Sequence, residues 1–160
     1  MRALEALAHE LPSLAVDVNV NVNVAAPEGL VLIGRRDLRS NNSWMHNVPT
    51  LVRGEKRCAL LMHPNDASTR GLVDGDVARG TSNAGELRVE VHVTASIMPG
   101  VVSLPHGWGH GQAGARLPVA AEHAGVNANA LTDDRALDPI SGTVVLNGVP
   151  VLVTRASDLS

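Results

Sequence analysis

Aromatic side chains are almost missing from this sequence: 160 residues include two tryptophans and no phenylalanine or tyrosine. The core must therefore be filled by Val, Leu, Ile and Ala. With a pI near 6.1 and no stripe of aromatic and basic residues, a nucleic-acid partner is not expected. The lone cysteine, Cys58, forms neither an intrachain disulfide nor a cysteine metal cluster, and favours a reducing compartment. No run of 18 apolar residues exists, so no membrane span is expected. Glu5, His9 and Glu10 interrupt any signal-peptide core behind Arg2, and a cytoplasmic location is the expectation.

Lysine is scarce too, at one against twelve arginines. Basic charge is nonetheless concentrated, with six Lys/Arg against two Asp/Glu between Val31 and Cys58 in a chain of net charge −3. The centre of that region is Leu30 to Asn47, LVLIGRRDLRSNNSWMHN. Leu30 to Ile33, bounded by Gly29 and Gly34, reads as a strand buried on both faces. Beyond Gly34 the residues become polar. Arg35, Arg36 and Arg39 precede Ser40, Asn41, Asn42 and Ser43, followed by Trp44 and His46. Such a loop is either an ordinary solvated surface or a grip for phosphate or a polar ring. The clustering of guanidinium forks with short amides and hydroxyls favours the second.

The chain is long enough for one domain with its own core, burying roughly 70% of its unfolded surface. Fifteen glycines and nine prolines predict many short strands and turns rather than a helical bundle. Residues 1–29 hold a helix with Leu4, Leu7, Ala8 and Leu11 on one face, then a Val/Asp/Asn alternation from Val16 to Val24 that fits an edge strand or a linker. The domain proper is 30–155, with 156–160 as a tail.

Within it, Cys58–Met62 predicts a second strand. Pro64, Asn65 and Asp66 open a short helix ending near Gly71, with Pro at a first helical position and an acid in the first turn. Gly75-Asp76 turns into a strand at Val77. Leu87–Thr94 alternates apolar and polar as a strand with one wet face, and Val101–Leu104 is a fifth. The stretch from Pro105 to Gly142 has no clean period, apart from a possible helix at Val119–His123, and a long loop of that kind is usually functional or disordered. Thr143–Leu146 and Val149–Val153 read as a hairpin about Asn147-Gly148. The fold class is mainly β with short helices, which a small barrel closes without free edges.

His106 and His110 share a helical spacing, but the glycines at 107, 109 and 111 argue against a helix, and no carboxylate or cysteine completes a metal site. No Gly-x-Ser-x-Gly occurs, so a hydrolase elbow is absent.

These blocks, in this order, resemble the C-terminal molybdopterin dinucleotide-binding domain of molybdenum oxidoreductases of the dimethyl sulfoxide reductase superfamily, with formate dehydrogenase and nitrate reductase as the nearest branches. The resemblance rests on Ile33–Asn47, on Pro64–Ala67 with Gly71 and Gly75-Asp76, on Pro99-Gly100 through His110, and on Asn127-Ala128-Asn129 through Leu131-Thr132, Asp138-Pro139 and Ser141-Gly142. It covers roughly Leu30 to Thr154. His63 departs from the asparagine more usual before Pro64.

The resemblance implies a six-stranded double-psi β-barrel that holds a molybdopterin guanine dinucleotide, the molybdenum being held by the cofactor and by domains absent from this sequence. Gly34, Arg35, Arg36, Ser40, Asn42, Ser43 and His46 would approach the pterin or diphosphate. Asn65 and Asp66 would sit near a guanine, unless Asp66 only serves the start of its helix. Asn127 and Asn129 would present amide edges to the pterin unless they merely form turns, and His106, Trp108 and His110 would lie beside the flat cofactor. No residue is assigned a catalytic role. The partners expected are the remaining domains or the catalytic subunit of such an oxidoreductase, meeting this chain around Trp108 and residues 105–142. The alternative is a non-enzymatic double-psi barrel that recognises a protein partner. A self-cleaving decarboxylase of related barrel type is excluded, because none of the fifteen glycines precedes a serine.

Overall fold

A computed structural model describes residues 29–156, apart from Ala115 and Pro139. The expected N-terminal helix, the Val16–Val24 alternation and most of the tail lie outside the described residues. Six strands close into one barrel: β1 (Gly29–Arg35), β2 (Leu60–Met62), β3 (Val77–Thr81), β4 (Glu86–Val93), β5 (Val101–Pro105) and β6 (Val149–Arg155). Around the barrel their order is β1-β5-β2-β4-β3-β6. The parallel pairs β1–β5 and β2–β4 are each crossed by antiparallel neighbours. This is the double-psi barrel that the sequence led us to expect.

The core is aliphatic, as the lack of aromatics requires. Leu30 and Leu32 of β1, Leu60 and Met62 of β2, Val89 and Val91 of β4, Val102 and Leu104 of β5, and Val151 and Val153 of β6 meet inside the barrel. No isoleucine joins them; Ile33 is exposed at the end of β1. Leu131, on a 3-10 turn at Ala128–Leu131, plugs the same core. Each fully buried side chain of this kind contributes on the order of 1.5–3 kcal/mol relative to leaving it in water.

Three sequence expectations need correction. β1 is not buried on both faces: Leu30 and Leu32 face inward while Val31 is half-buried and Ile33 exposed, because the barrel offers only one dry side. β2 begins at Leu60 rather than Cys58, since the Ala59 carbonyl accepts from Arg35 and the Cys58 thiol faces Val126. The Asn147-Gly148 hairpin does not form. Both edges of β6 are taken by β1 and β3, so residues 143–146 find no place beside it and make only the isolated bridge Leu137–Val144. Asn147 instead accepts the Gly34 N–H at 2.7 Å, and the Gly148 N–H donates to Leu32.

Helix α1 (Pro49–Val52) follows the polar loop, and α2 (Pro64–Thr69) follows β2. His63 is the N-cap of α2, accepting the Asn65 N–H through Nδ1 at 3.2 Å. Asp66, in the first turn, reaches across to the Gly100 N–H at 2.8 Å and so ties α2 to the start of β5. Gly75 and Asp76 act structurally: their backbones pair with Val91, and the Asp76 carboxylate accepts from the Val73 N–H and from Arg155. Replacing Asp66 by Ala leaves the Gly100 N–H without its partner, and should lower unfolding free energy by about 1–3 kcal/mol in urea titration.

Candidate functional site

The polar loop begins where β1 and β5 end together, with Arg35 opposite Pro105. Its shape comes from Asn41 and Asn42, both left-handed (φ 40° and 68°), a conformation asparagine tolerates better than other side-chain-bearing residues. Ser40 is buried beneath this turn, its hydroxyl donating to the Asp37 carbonyl at 2.8 Å. Asn47 closes the loop by accepting the Val119 and Ala120 N–H groups at the start of α3 (Pro118–Glu122). That cap has to come from a distance, because Leu117, the local N-cap, has no side-chain acceptor.

Across from the loop, the 106–110 segment folds back on two glycines. A Cβ on Gly107 (φ 87°) would lie 2.2 Å from the Asn42 carbonyl, and one on Gly109 (φ 107°) would lie 2.8 Å from the Asn127 Cβ. Gly34 is packed just as closely, with the His106 ring filling the space of its missing side chain. These contacts hold the loop, the 106–110 segment and the 127–129 turn around an open cleft of about 430 Å³, lined by Arg36, Asn42, Ser43, His106, His110, Asn127 and Asn129 together with Gly107, Trp108 and Leu146. No carboxylate lines it. Arg36 donates to the Asn42 side chain and also borders a neighbouring cleft of about 420 Å³, where the carboxylates of Asp37, Glu55, Asp74 and Glu90 offset the charges of Arg35, Arg36, Lys56 and Arg57. The first cleft is therefore the better host for an anion.

Of the residues singled out from sequence, Arg36, Asn42, Ser43, His106, Trp108, His110, Asn127 and Asn129 are thus brought together, with Gly34 behind His106. Others lie elsewhere. The Arg35 guanidinium is spent on three backbone carbonyls, Ser103 at 2.6 Å, Ala59 at 2.8 Å and Arg57 at 3.0 Å. Ser40 and His46 are buried below the cleft. Asn65 and Asp66 sit beside the start of β5, whereas the cleft lies past its end. Five residues of strand, roughly 17 Å, separate the two places. Trp108 is not on an exposed face: it is only 8% exposed and stacks on His46 with ring centroids 4.0 Å apart.

Asn127 is a turn former that also lines the cleft. Its Oδ1 caps the 3-10 turn by accepting the Asn129 N–H at 3.1 Å, which leaves its amide N–H groups uncommitted to that cap. Sequence reasoning missed Asn47, Asn147 and the His46–His110 pair. An uncapped Leu117-Pro118 helix start was the available signal for a distant cap such as Asn47.

Burial, then the Arg36 charge, lowers the His106 pKa. Burial first, then the charges of His110 and Arg57, does the same to His46. Burial also lowers the Arg35 pKa and raises that of Cys58.

Residues 30–150 match the family model described as the molydopterin dinucleotide binding domain. The chain belongs to that family. Among curated relatives, a dimethyl sulfoxide/trimethylamine N-oxide reductase of Rhodobacter capsulatus is 43% identical over 56 residues, 35% of this chain and 7% of the relative. A tetrathionate reductase chain of Salmonella typhimurium is 27% identical over 125 residues, covering 68% of this chain and 12% of the relative. The molybdopterin-containing subunit of the arsenate respiratory reductase of Chrysiogenes arsenatis is 28% identical over 121 residues, 72% of this chain and 14% of the relative. In structure, the acetylene hydratase from Pelobacter acetylenicus superposes with a TM-score of 0.66 at 24% identity, over 79% of this chain and 18% of that one, a likeness of fold. The chain spans a small fraction of each. The cofactor class of the family is a molybdenum-carrying molybdopterin dinucleotide. No helix among the described residues is long and apolar enough to cross a membrane.

Two consequences are measurable. In the unfolded chain His46 and His106 titrate near about 6.5, while their folded values are lower. The unfolded state then binds more protons on acidification, so stability is full above that value and is lost as pH falls through it toward the folded pKa values. The urea midpoint should drop between about pH 7.5 and pH 5.5, and His106→Gln should flatten the drop. An unchanged midpoint would refute the assignment. Arg35→Ala should cost about 2–4 kcal/mol by stranding three carbonyls, whereas Arg36→Ala should change stability by less than about 0.5 kcal/mol.

Proposed function

We propose that this barrel binds a molybdopterin guanine dinucleotide through the cleft at Arg36, as the cofactor-binding part of a molybdenum-dependent oxidoreductase whose other domains or subunit carry out the redox step. One observation carries the reading: in a domain of this family, a guanidinium, two imidazoles, three amides and a hydroxyl converge on one cleft that contains no carboxylate. The donor set fits the group. Arg36 and the neutral N–H and O–H donors suit diphosphate oxygens, and the amide edges of Asn127 and Asn129 can match the alternating donors and acceptors of a pterin.

Bound there, the cofactor would supply molybdenum for electron transfer, and the chain would supply fixed donors that orient it. Arg36 would hold the diphosphate. Asn42, Ser43 and Asn129 would fix its register. Arg35, Ser40 and His46 would serve by supporting the residues that line the cleft. Asn65 and Asp66 would serve the barrel rather than a guanine, since the Asp66 carboxylate already accepts from Gly100.

The same surface has a second reading, a barrel that recognises a protein partner without cofactor. Leu38 and Trp44, 96% and 81% exposed on the polar loop, favour it. Titrating the purified chain with extracted molybdopterin guanine dinucleotide, and with GMP as a simpler probe, separates the two. The cofactor reading expects a rise in melting temperature that grows with ligand, and about tenfold weaker binding in Arg36→Ala or Asn129→Ala. A melting curve indifferent to both ligands would mean either that the site needs the other domains or that the chain is a partner-recognition barrel, and copurification from the source cell separates those two.

A further inference from the structure

The lining of the cleft at Arg36 is polar along most of its length, with one open exception. Leu146 is 39% exposed and lines the cleft, whereas Trp108, the other large apolar group there, is almost fully buried. The backbone on either side of Leu146 is pinned. The Val145 N–H donates to the Ala136 carbonyl at 2.8 Å, the Gly148 N–H donates to the Leu32 carbonyl at 3.0 Å, and between them Asn147 accepts the Gly34 N–H at 2.7 Å. Leu146 also borders a narrow seam with Gly34, His106, Ala128 and Thr132, which puts it beside the turn that carries Asn127 and Asn129. Arg36, by contrast, donates to Asn42 on the polar loop. The most exposed apolar side chains among the described residues, Leu38, Ile140 and Trp44, do not line the cleft at all.

We infer that Leu146 is a specificity-determining residue of this cleft: it packs on the face of a flat heterocycle whose rim meets Asn127 and Asn129, while the anion attached to that ring lies toward Arg36. The inference rests on the proposed cofactor reading and adds to it which part of the ligand goes where. A fused ring such as a pterin has two kinds of surface. Its rim carries alternating donors and acceptors, which amides can match. Its faces carry none, and gain most by leaving water against an apolar group. Guanidinium, amide and hydroxyl groups alone would hold a phosphate equally well with or without a ring, so the choice of a ring has to come from an apolar surface. Proteins often use an aromatic side chain for that purpose, but this sequence has no phenylalanine or tyrosine, and the ring of Trp108 is already stacked on His46. An aliphatic platform is what remains. A single exposed leucine is ordinary on a protein surface; this one is set apart by its pinned backbone and by the two amides beside it.

Two probes divide the ligand into its parts: 6-hydroxymethylpterin, a ring without phosphate, and inorganic pyrophosphate, an anion without a ring. Each is titrated into the purified chain, with pterin fluorescence and calorimetry as the readouts. Leu146→Asn, which nearly keeps the size of the side chain and removes its apolar character, should weaken 6-hydroxymethylpterin about fivefold and leave pyrophosphate within about twofold. Leu146→Met should bind both probes within about twofold of the unaltered chain. Arg36→Ala should do the reverse of the Asn variant, weakening pyrophosphate about tenfold and the pterin less than about twofold. Reading both probes in one variant separates recognition from folding, because a damaged barrel loses both. Unchanged pterin affinity in Leu146→Asn, or equal losses for the two probes, overturns the inference. Pyrophosphate binding that depends on Arg36 in a chain that takes up no pterin overturns it as well, while the anion site of the cofactor reading stands. If neither probe binds, the cleft of this chain does not hold the ligand unaided, and the inference falls with it.

Discussion

The Arg35 guanidinium, donating to the carbonyls of Ser103, Arg57 and Ala59, is the contact on which the rest of the site depends. It ties the last residue of β1 to β5 and to the segment entering β2 at one point of the barrel wall. Loops leave a barrel where strand pairing stops, and the place where it stops fixes where they can reach. Here pairing of β1 with β5 runs to Arg35 and Pro105, and the polar loop and the histidine segment leave side by side immediately afterwards. A cationic group half-buried for three neutral acceptors is expensive to desolvate, as its lowered pKa records. It is retained because each carbonyl would otherwise be stranded.

From that point the two segments are held apart by a few hydrogen bonds and held together by missing side chains. Gly34 admits the His106 ring, Gly107 admits the Asn42 carbonyl, and Gly109 admits Asn127. Asn47 and Asn147 complete the frame from opposite sides, one capping α3 and the other engaging Gly34. The cleft is thus lined by polar groups whose backbones are already committed. Such preorganisation is what a binding surface needs if ligand contacts are not to be spent on ordering loops.

Much of this was legible in the chain itself, for identifiable reasons. β4 announced itself because Leu87, Val89, Val91 and Val93 alternate with charged and polar neighbours. α2 did so because Pro64 and Asp66 are helix-start residues, and the polar loop because no helix or core could absorb Arg35 through Asn47. What was not legible depended on contacts distant in sequence. Asn147-Gly148 has the local chemistry of a hairpin, but β1 and β3 compete for the same strand and win. Arg35 and Arg36 are neighbours of identical type, and nothing local says that one faces three carbonyls while the other faces the cleft. His46 and His110 are 64 residues apart, and only the closed barrel brings them together.

That last pairing shows why composition shaped the site as well as the core. With no tyrosine or phenylalanine to wall the cleft, flat surface comes from the stack of Trp108 on His46, and the rings that do packing work also carry donors and acceptors. A phenylalanine wall would be indifferent to what lies above it. An imidazole wall is not, because each ring carries one nitrogen that donates and one that accepts when neutral. In a barrel this poor in aromatics the floor of the cleft is thus built from rings that carry hydrogen-bonding nitrogens, and the buried His46 lies against both of its neighbours that line the cleft, Trp108 and His110.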